Sequence, residues 1–171
     1  MIELPVYARV VRDLPPGEHA YLALLPLAAQ SPAMRRIESS LTPIGPLLAA
    51  AQVRIRRGKG YVWIDDEVPA IILIEQYYRE SSSLDLYLDL LHELTHLRQL
   101  SEGHSIWDDR LPYVDRRTEI EGYAVAVEEG CRLGMTEEEV VHHLSNPWMT
   151  HADVRRLLKN VRLLLSGNDS A

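Results

Sequence analysis

Residues 84–100 carry the clearest hydrophobic pattern in the chain. Apolar side chains recur there at spacings of three and four, which is typical of an amphipathic helix with one buried face. They are Leu86, Tyr87, Leu90, Leu91, Leu94 and Leu97. Polar residues occupy another side, namely Asp85, Asp89, His92, Glu93, His96 and Gln99. Serines at 81–83 can cap the helix, so one face is predicted to be core and the other accessible.

A second helix is predicted at residues 116–133. Its apolar stripe consists of Ile120, Tyr123, Ala124, Val127 and Cys131. Gly134 is the predicted C-terminal cap. The stripe predicts that Cys131 is a core residue rather than a nucleophile, since no partner base accompanies it.

Shorter helices are predicted towards the end of the chain. At 136–144 the helix opens with a capping-box pattern, in which Thr136 is followed three residues later by Glu139. A terminal helix is predicted at 150–165, and residues 166–171 are predicted to be frayed.

The first half of the chain indicates strands. Residues 53–56 and 61–64 are rich in β-branched and aromatic side chains, and they flank the turn sequence Arg-Gly-Lys-Gly. This arrangement predicts a hairpin. Residues 70–78 are β-branched and aromatic as well, with a proline ahead of them, and predict a third strand.

The elements together predict an α+β fold. Prolines interrupt the first fifty residues, where only short helices at 33–41 and 47–52 are expected. We expect a small, mostly antiparallel sheet packed beside the two long helices, with further helices at the C-terminal end. A chain of 171 residues is suited to one compact domain, so residues 1–171 are predicted to form a single domain.

Composition narrows the possible partners. The chain carries 18 Lys and Arg against 25 Asp and Glu, for a formal net charge of −7, so no nucleic-acid partner is expected. A single cysteine cannot form a disulfide within one chain or a thiolate cluster, so any metal must use histidine and carboxylate ligands. Neither a secretory signal nor an apolar run long enough to span a bilayer is evident. The expectation is a cytoplasmic protein without a membrane partner.

The accessible face of the first long helix carries the motif His92-Glu93-Leu94-Thr95-His96. Histidines four residues apart lie one turn above each other and can reach the same ion. A catalytic zinc site uses three protein ligands and leaves a position for water, whose pKa the metal lowers to roughly 7. We therefore predict that His92 and His96 bind Zn²⁺ and that Glu93 is the general base of a hydrolase.

The third ligand is not fixed by the motif. An extended HExxHxxGxxH motif would place glycine and histidine where this chain has Gln99 and Glu102. The alternative is a carboxylate from the second long helix, which offers Glu119 and Glu121. Glu119 shares a side with Tyr123 near the apolar stripe, whereas Glu121 points elsewhere, and both remain candidates at this point.

Here the sequence resembles the gluzincin metallopeptidases, in which a later helix supplies a ligand glutamate within a pattern such as E-x-x-A-D or E-x-x-A-N. Glu119 falls on the ligand, Gly122 on the small residue, and Tyr123 where Asp or Asn is usual. The resemblance covers about residues 61–130 and is nearest in scale to minigluzincins and bacterial repressor-cleaving peptidases. It favours Glu119 as third ligand and implies a zincin-like fold, bound zinc, and a peptide or protein substrate aligned along an edge strand, a role assigned to residues 70–78.

For several other residues the sequence allows two possible roles. His104 and Tyr113, between the long helices, either polarise a substrate carbonyl or serve as a surface histidine and a packing tyrosine. Asp89 either orients His92 through its second ring nitrogen or is a surface charge. The histidines at 142, 143 and 151 are expected to be solvated.

Rival functions remain open as well. The first is a metal-binding regulatory or structural protein that keeps the fold without protease turnover. The second is an interaction domain that carries the motif by chance.

Overall fold

The computed structural model describes residues 2–167 and has an α+β architecture with a small mixed sheet. The sheet contains β1 (Gly17–Ala20), β2 (Gln52–Arg56), β3 (Val62–Asp65) and β4 (Ala70–Ile74). The helices are α1 (Tyr21–Leu24), α2 (Met34–Ile37), α3 (Ile44–Ala50), α4 (Glu75–Glu80), α5 (Ser83–Ser101), α6 (Arg117–Arg132), α7 (Glu137–Leu144) and α8 (His151–Gly167). Short 3₁₀ turns lie at Val6–Ala8, Ala28–Gln30 and Tyr113–Asp115.

The strand order, β1-β2-β4-β3, corrects the predicted hairpin. β2 and β3 do not pair with each other, because β4 lies between them, parallel to β2 and antiparallel to β3. All five residues of β4 are buried. A strand that is apolar on both faces is typical of an internal position, and the unbroken run Ala-Ile-Ile-Leu-Ile carried that signal. β1, which pairs antiparallel with β2, was not predicted.

The predicted strand at 70–78 is also wrong in its second half. The chain leaves the sheet after Ile74 and forms the short helix α4. Glu75 and Arg79 form an ion pair of 3.1 Å across one turn, and Gln76 donates to Glu80 at 3.1 Å. These i, i+4 contacts favour the helix over the strand preference of the two tyrosines that follow Gln76.

The helices in the second half follow the sequence prediction closely. The side chain of Ser82 caps α5 by accepting from the backbone N–H of Asp85 at 3.0 Å. Thr136 and Glu139 form the predicted capping box of α7. α8 continues through Gly167, so the frayed segment expected from residue 166 is not seen at its start. The remainder of that prediction, 168–171, lies outside the described residues. In the first half, the helices at 33–41 and 47–52 are displaced or shortened to α2 and α3.

Two hydrophobic clusters support the site. The larger unites the sheet, the first-half helices and α5, while the smaller lies among α6, α7 and α8. α5 packs against both the sheet and α6, and every residue from Leu86 to Gln99 except Asp89 is buried. The polar face of α5 is therefore covered by α6 over most of its length, rather than open along its whole length as its amphipathic pattern suggested.

Candidate metal centre

Three potential metal ligands meet where α5 packs on α6. The Nε2 atoms of His92 and His96 lie 2.9 Å apart, and their rings meet edge to face with centroids 4.6 Å apart. Oε2 of Glu119 lies 3.3 Å from His92 Nε2 and 3.5 Å from His96 Nε2. All three side chains are buried, and their ligand atoms lie within 4.8 Å of one another, close enough to bind a metal ion.

Glu121 occupies a different environment from Glu119. Two residues apart on a helix correspond to a rotation of about 200°, so the two carboxylates leave α6 on different sides. Glu121 accepts a hydrogen bond of 2.7 Å from Gln99 Nε2 and forms an ion pair with Arg98. Of the two carboxylates that the sequence offered, Glu119 is the one that faces both imidazoles.

His96 is held by a side chain one turn further along α5. Its Nδ1 lies 2.7 Å from Gln99 Oε1. The amide nitrogen of Gln99 donates to the Thr118 carbonyl oxygen at 3.1 Å and to Glu121, which leaves its oxygen as the acceptor for an Nδ1–H. This hydrogen bond favours the tautomer of His96 with a free lone pair on Nε2, the atom nearest Glu119.

His92 is positioned by packing instead. A Cβ atom built on Gly122 would lie 2.9 Å from both Nδ1 and Cε1 of His92, so only glycine leaves room for this ring. The ring of Tyr123 also packs on His92 in an edge-to-face arrangement, with centroids 4.4 Å apart. His92 Nδ1 has no hydrogen-bond partner in the described part of the chain.

Asp89 therefore fits neither of its predicted roles. It does not bond to His92 Nδ1, and it is only about a quarter exposed, at 24% of its side-chain surface. Instead Oδ2 of Asp89 accepts from the hydroxyl of Tyr77, and Oδ1 lies 3.8 Å from Nε2 of His143.

The charges at the centre are strongly coupled. Burial alone would raise the pKa of Glu119, but the adjacent imidazoles of His92 and His96 hold it well below its ordinary value. Burial lowers the pKa of His92. Burial also opposes charge on His96, yet its contacts with Glu119 raise its pKa to about 9. Glu119 and His96 thus favour each other's charged forms.

Glu93 lies beside this cluster and lines a cavity of about 320 Å³. Its carboxyl group is buried, and burial raises its pKa to about 8. Oε2 of Glu93 has no hydrogen-bond partner among residues 2–167. A buried carboxyl oxygen without a partner at the wall of a cavity has the surroundings expected of a group that exchanges protons with a bound molecule.

Tyr113 and His104, the two residues predicted to polarise a substrate carbonyl, lie in different parts of the structure. Tyr113 lines the same cavity as Glu93, and its hydroxyl lies 3.0 Å from that of Tyr123, which also accepts from Asn146 at 2.8 Å. His104 is 60% exposed and lines a different groove, near Arg98 and Arg116. Only Tyr113 shares the cavity with His92 and Glu93.

Three other sequence predictions need correction. Cys131 is exposed and does not belong to the core, because it lies at the border of the apolar stripe of α6. The side chain of His143 is not solvated but 4% exposed, since it packs onto α5 and lies 3.1 Å from Asp85. β4 cannot align a substrate as an edge strand because it is paired on both sides, so the edge nearest the cavity belongs to β3.

A search of protein families, of curated proteins and of solved structures found no match to this chain. The triad of His92, His96 and Glu119 is the one group of three or more His, Cys, Asp or Glu side chains within residues 2–167 whose ligand atoms come this close together. Over the same range, none of the helices has both the length and the apolar composition needed to cross a bilayer.

Proposed function

We propose that this protein is a zinc-dependent hydrolase that cleaves peptide bonds, with a zincin-like arrangement of α5 and α6. The observation that carries the proposal is the convergence of His92, His96 and Glu119 beside a cavity whose wall includes Glu93. A structural zinc site prefers four protein ligands, whereas a catalytic site uses three and keeps one position open. The three-ligand set and the adjacent cavity support the catalytic alternative.

The residues fit zinc by their chemistry. Two imidazole nitrogens and one carboxylate oxygen are a ligand set that zinc accepts. Oε2 of Glu119 faces both rings but makes no hydrogen bond of good geometry with any residue from 2 to 167, which leaves it free to bind a cation. Bound at these residues, zinc would polarise a carbonyl group and lower the pKa of a water molecule to roughly 7.

Glu93 is the proposed general base. Its carboxylate takes a proton from the attacking water and returns that proton to the leaving amine as the peptide bond breaks. Burial raises the pKa of this carboxyl group to about 8, and a cation bound at the neighbouring ligands would favour the carboxylate form that accepts a proton. Burial keeps competing water away from the exchange.

Tyr113 is the proposed donor to the carbonyl oxygen. Burial raises its pKa well above the ordinary value for tyrosine, so the hydroxyl keeps its proton and can donate it in a hydrogen bond. The hydroxyl of Tyr123, itself held by Asn146, lies 3.0 Å from this hydroxyl, which also interacts with Glu119. Donors that are already oriented stabilise the developing charge on a carbonyl oxygen.

The test combines metal analysis with the substitution Glu93→Gln. Purified protein is expected to contain one zinc per chain and to hydrolyse a peptide mixture, with both lost on chelation. Glu93→Gln should retain zinc and lose roughly 10²- to 10⁴-fold in turnover. Glu67→Gln, which changes an exposed carboxylate in the turn before β4, is the matched control and should be unaffected.

Two outcomes would contradict the proposal. Zinc bound in the Glu93→Gln variant with unchanged turnover would exclude Glu93 as the base. Stoichiometric zinc with no hydrolysis of any peptide would instead favour the metal-binding regulatory or structural protein.

A further inference from the structure

The cavity continues beyond the metal centre along the N-terminal half of α5. Asp89 lies one turn before Glu93 and Asp85 one turn before that, about 6 and 12 Å along the helix axis. Both aspartates line the same cavity as His92 and Glu93. The cavity thus has two carboxylates that the hydrolytic chemistry does not use.

These carboxylates share one partner. Nδ1 of His143 lies 3.1 Å from Asp85 and its Nε2 lies 3.8 Å from Asp89, a gap beyond hydrogen-bond distance. Nε2 of His143 is buried and has no hydrogen-bond partner within residues 2–167, although its side chain forms part of the cavity wall. His142 also lines the cavity, but His143 is the one basic side chain from 2 to 167 within 4 Å of either aspartate, and the described cavity wall contains neither lysine nor arginine.

The mouth of this part of the cavity is aromatic. Trp148 stacks on Tyr61 at an interplanar angle of 11° and meets Tyr113 edge to face, with ring centroids 6.1 Å apart in both pairs. These rings join the start of β3 to the loop between α7 and α8. Trp148 remains 60% exposed, so aromatic surface is available to a ligand that enters. Aromatic faces attract cations and also pack on the methylene groups of long basic side chains.

We propose that this half of the cavity is a binding subsite for a basic side chain, lysine or arginine, of an extended peptide. The assignment as a substrate subsite rests on the proposed peptidase function. An extended peptide advances about 3.3 Å per residue, so a side chain two to four residues from the bond being cleaved comes level with Asp89 and Asp85. Oδ1 of Asp89, which is not within hydrogen-bond distance of His143, is the acceptor for the cationic group.

An acidic side chain is excluded by the same geometry. It would enter the part of the cavity that already holds Asp85 and Asp89. A neutral aliphatic side chain would cover the aspartates without compensating their charge. The subsite therefore selects by charge as well as by shape.

The test measures peptide binding rather than cleavage. Fluorescently labelled peptides of the form acetyl-Ala-Ala-X-Ala-Ala-amide, with X as lysine, arginine, norleucine or glutamate, are titrated with the zinc-supplemented Glu93→Gln protein by fluorescence anisotropy. Lysine and arginine are expected to bind about tenfold more tightly than norleucine, and glutamate more weakly than norleucine.

Further substitutions in the Glu93→Gln protein test which residues cause the preference for a basic side chain. Asp89→Asn keeps an oxygen that accepts from Tyr77 and is expected to reduce the preference for lysine over norleucine to below about threefold. Asp85→Asn, one turn further away, should reduce it less, and serves as the second variant if Asp89→Asn unfolds. Asp66→Asn removes the same charge from an exposed turn outside the cavity and should leave the preference unchanged.

Several results would overturn the subsite. One is that the lysine and norleucine peptides bind with equal affinity. Another is that the preference for lysine persists in both Asp89→Asn and Asp85→Asn while these variants remain folded. A norleucine peptide with a free amino terminus that binds as tightly as the acetylated lysine peptide would assign the cavity to a terminal amine instead. Hydrolysis without charge preference would contradict the subsite alone, whereas a charge preference without hydrolysis by the unsubstituted protein would contradict the proposed function alone.

Discussion

The ring of His92 lies directly against the backbone of Gly122, at a distance that leaves no room for a side chain on α6. A Cβ at this position would come within 2.9 Å of Nδ1 and Cε1 of the imidazole, a separation that real Cβ atoms essentially never show. The position of one metal-binding candidate on α5 is thus set by the absence of a side chain on α6. This relationship gives the first prediction.

Gly122→Ala is expected to displace the His92 ring and to weaken zinc binding by roughly 10- to 100-fold, the range typical when the support of a metal ligand is lost. Affinity is measured by competition with a chromophoric chelator. Gly45→Ala is the matched control, because nothing lies within 4 Å of the added methyl group. Equal zinc affinity in Gly122→Ala and the unsubstituted protein would contradict the packing role of Gly122.

The two glutamates of α6 should differ in their effect on metal binding. Glu119→Gln replaces an anionic oxygen that faces both imidazoles and is expected to lower zinc affinity by at least about 100-fold. Glu121→Gln changes a group that contacts Gln99 and Arg98, so its effect is expected to stay within about tenfold. Calorimetric titration of both variants checks this order, and the reverse order would assign the ligand to Glu121.

Gln99 is expected to act through His96. Gln99→Met keeps the length of the side chain but removes the acceptor for His96 Nδ1–H, so zinc affinity should fall about 10- to 100-fold. Gln76→Met, on the exposed face of α4, is the control for the same chemical change. Because the loss arises from the tautomer and orientation of one ring, the Nδ1 and Nε2 signals of His96 in NMR spectra should shift in Gln99→Met. Unchanged ring signals would show that Gln99 does not orient His96.

The Asp85–His143 pair predicts a pH-dependent contribution to stability. The hydrogen bond from His143 lowers the pKa of Asp85 below 3.8, and although burial opposes charge on His143, its contact with Asp85 raises its pKa above 6.5. The stabilisation from His143, whose pKa is raised, is complete below pH 6.5 and is lost as the pH rises through its pKa in the folded protein. The stabilisation from Asp85, whose pKa is lowered, is present above pH 3.8 and is lost as the pH falls through its pKa in the folded protein.

The Asp85–His143 pair should therefore stabilise the protein most between pH 3.8 and pH 6.5. His143→Gln is expected to lower the free energy of unfolding most near pH 5 to 6 and progressively less towards pH 9, as measured by urea titration. His151→Gln, at the exposed first position of α8, is the control. A penalty for His143→Gln that does not change with pH would contradict the ion pair.

Local sequence patterns were sufficient to predict α5, α6 and the one-turn spacing of the two histidines. The period of Leu86, Leu90 and Leu94 is set within one helix, and so is the single turn between His92 and His96. The capping residues Ser82 and Thr136 act within their own first turns. Such interactions join residues close in sequence, so they can be read without knowledge of the rest of the fold.

The order of the strands could not be read in the same way. The pairing of β2 with β4 depends on which faces α5 covers, and β-branched residues alone do not specify a partner. The burial of Glu93 also arises from non-local packing, because a polar helix face looks solvent-exposed until α6 is placed over it. Likewise His143 lies 58 residues from Asp85, and its helix gave no sign of the contact.

The candidate ligands span the boundary between the two hydrophobic clusters. His92 and His96 belong to the helix at the centre of the larger cluster, while Glu119 belongs to the helix that supports the smaller one. An ion held by all three would act as a crosslink between these parts and would stabilise the folded chain by an amount that rises with the free metal concentration. Metal supply would then govern how long the protein survives proteolysis.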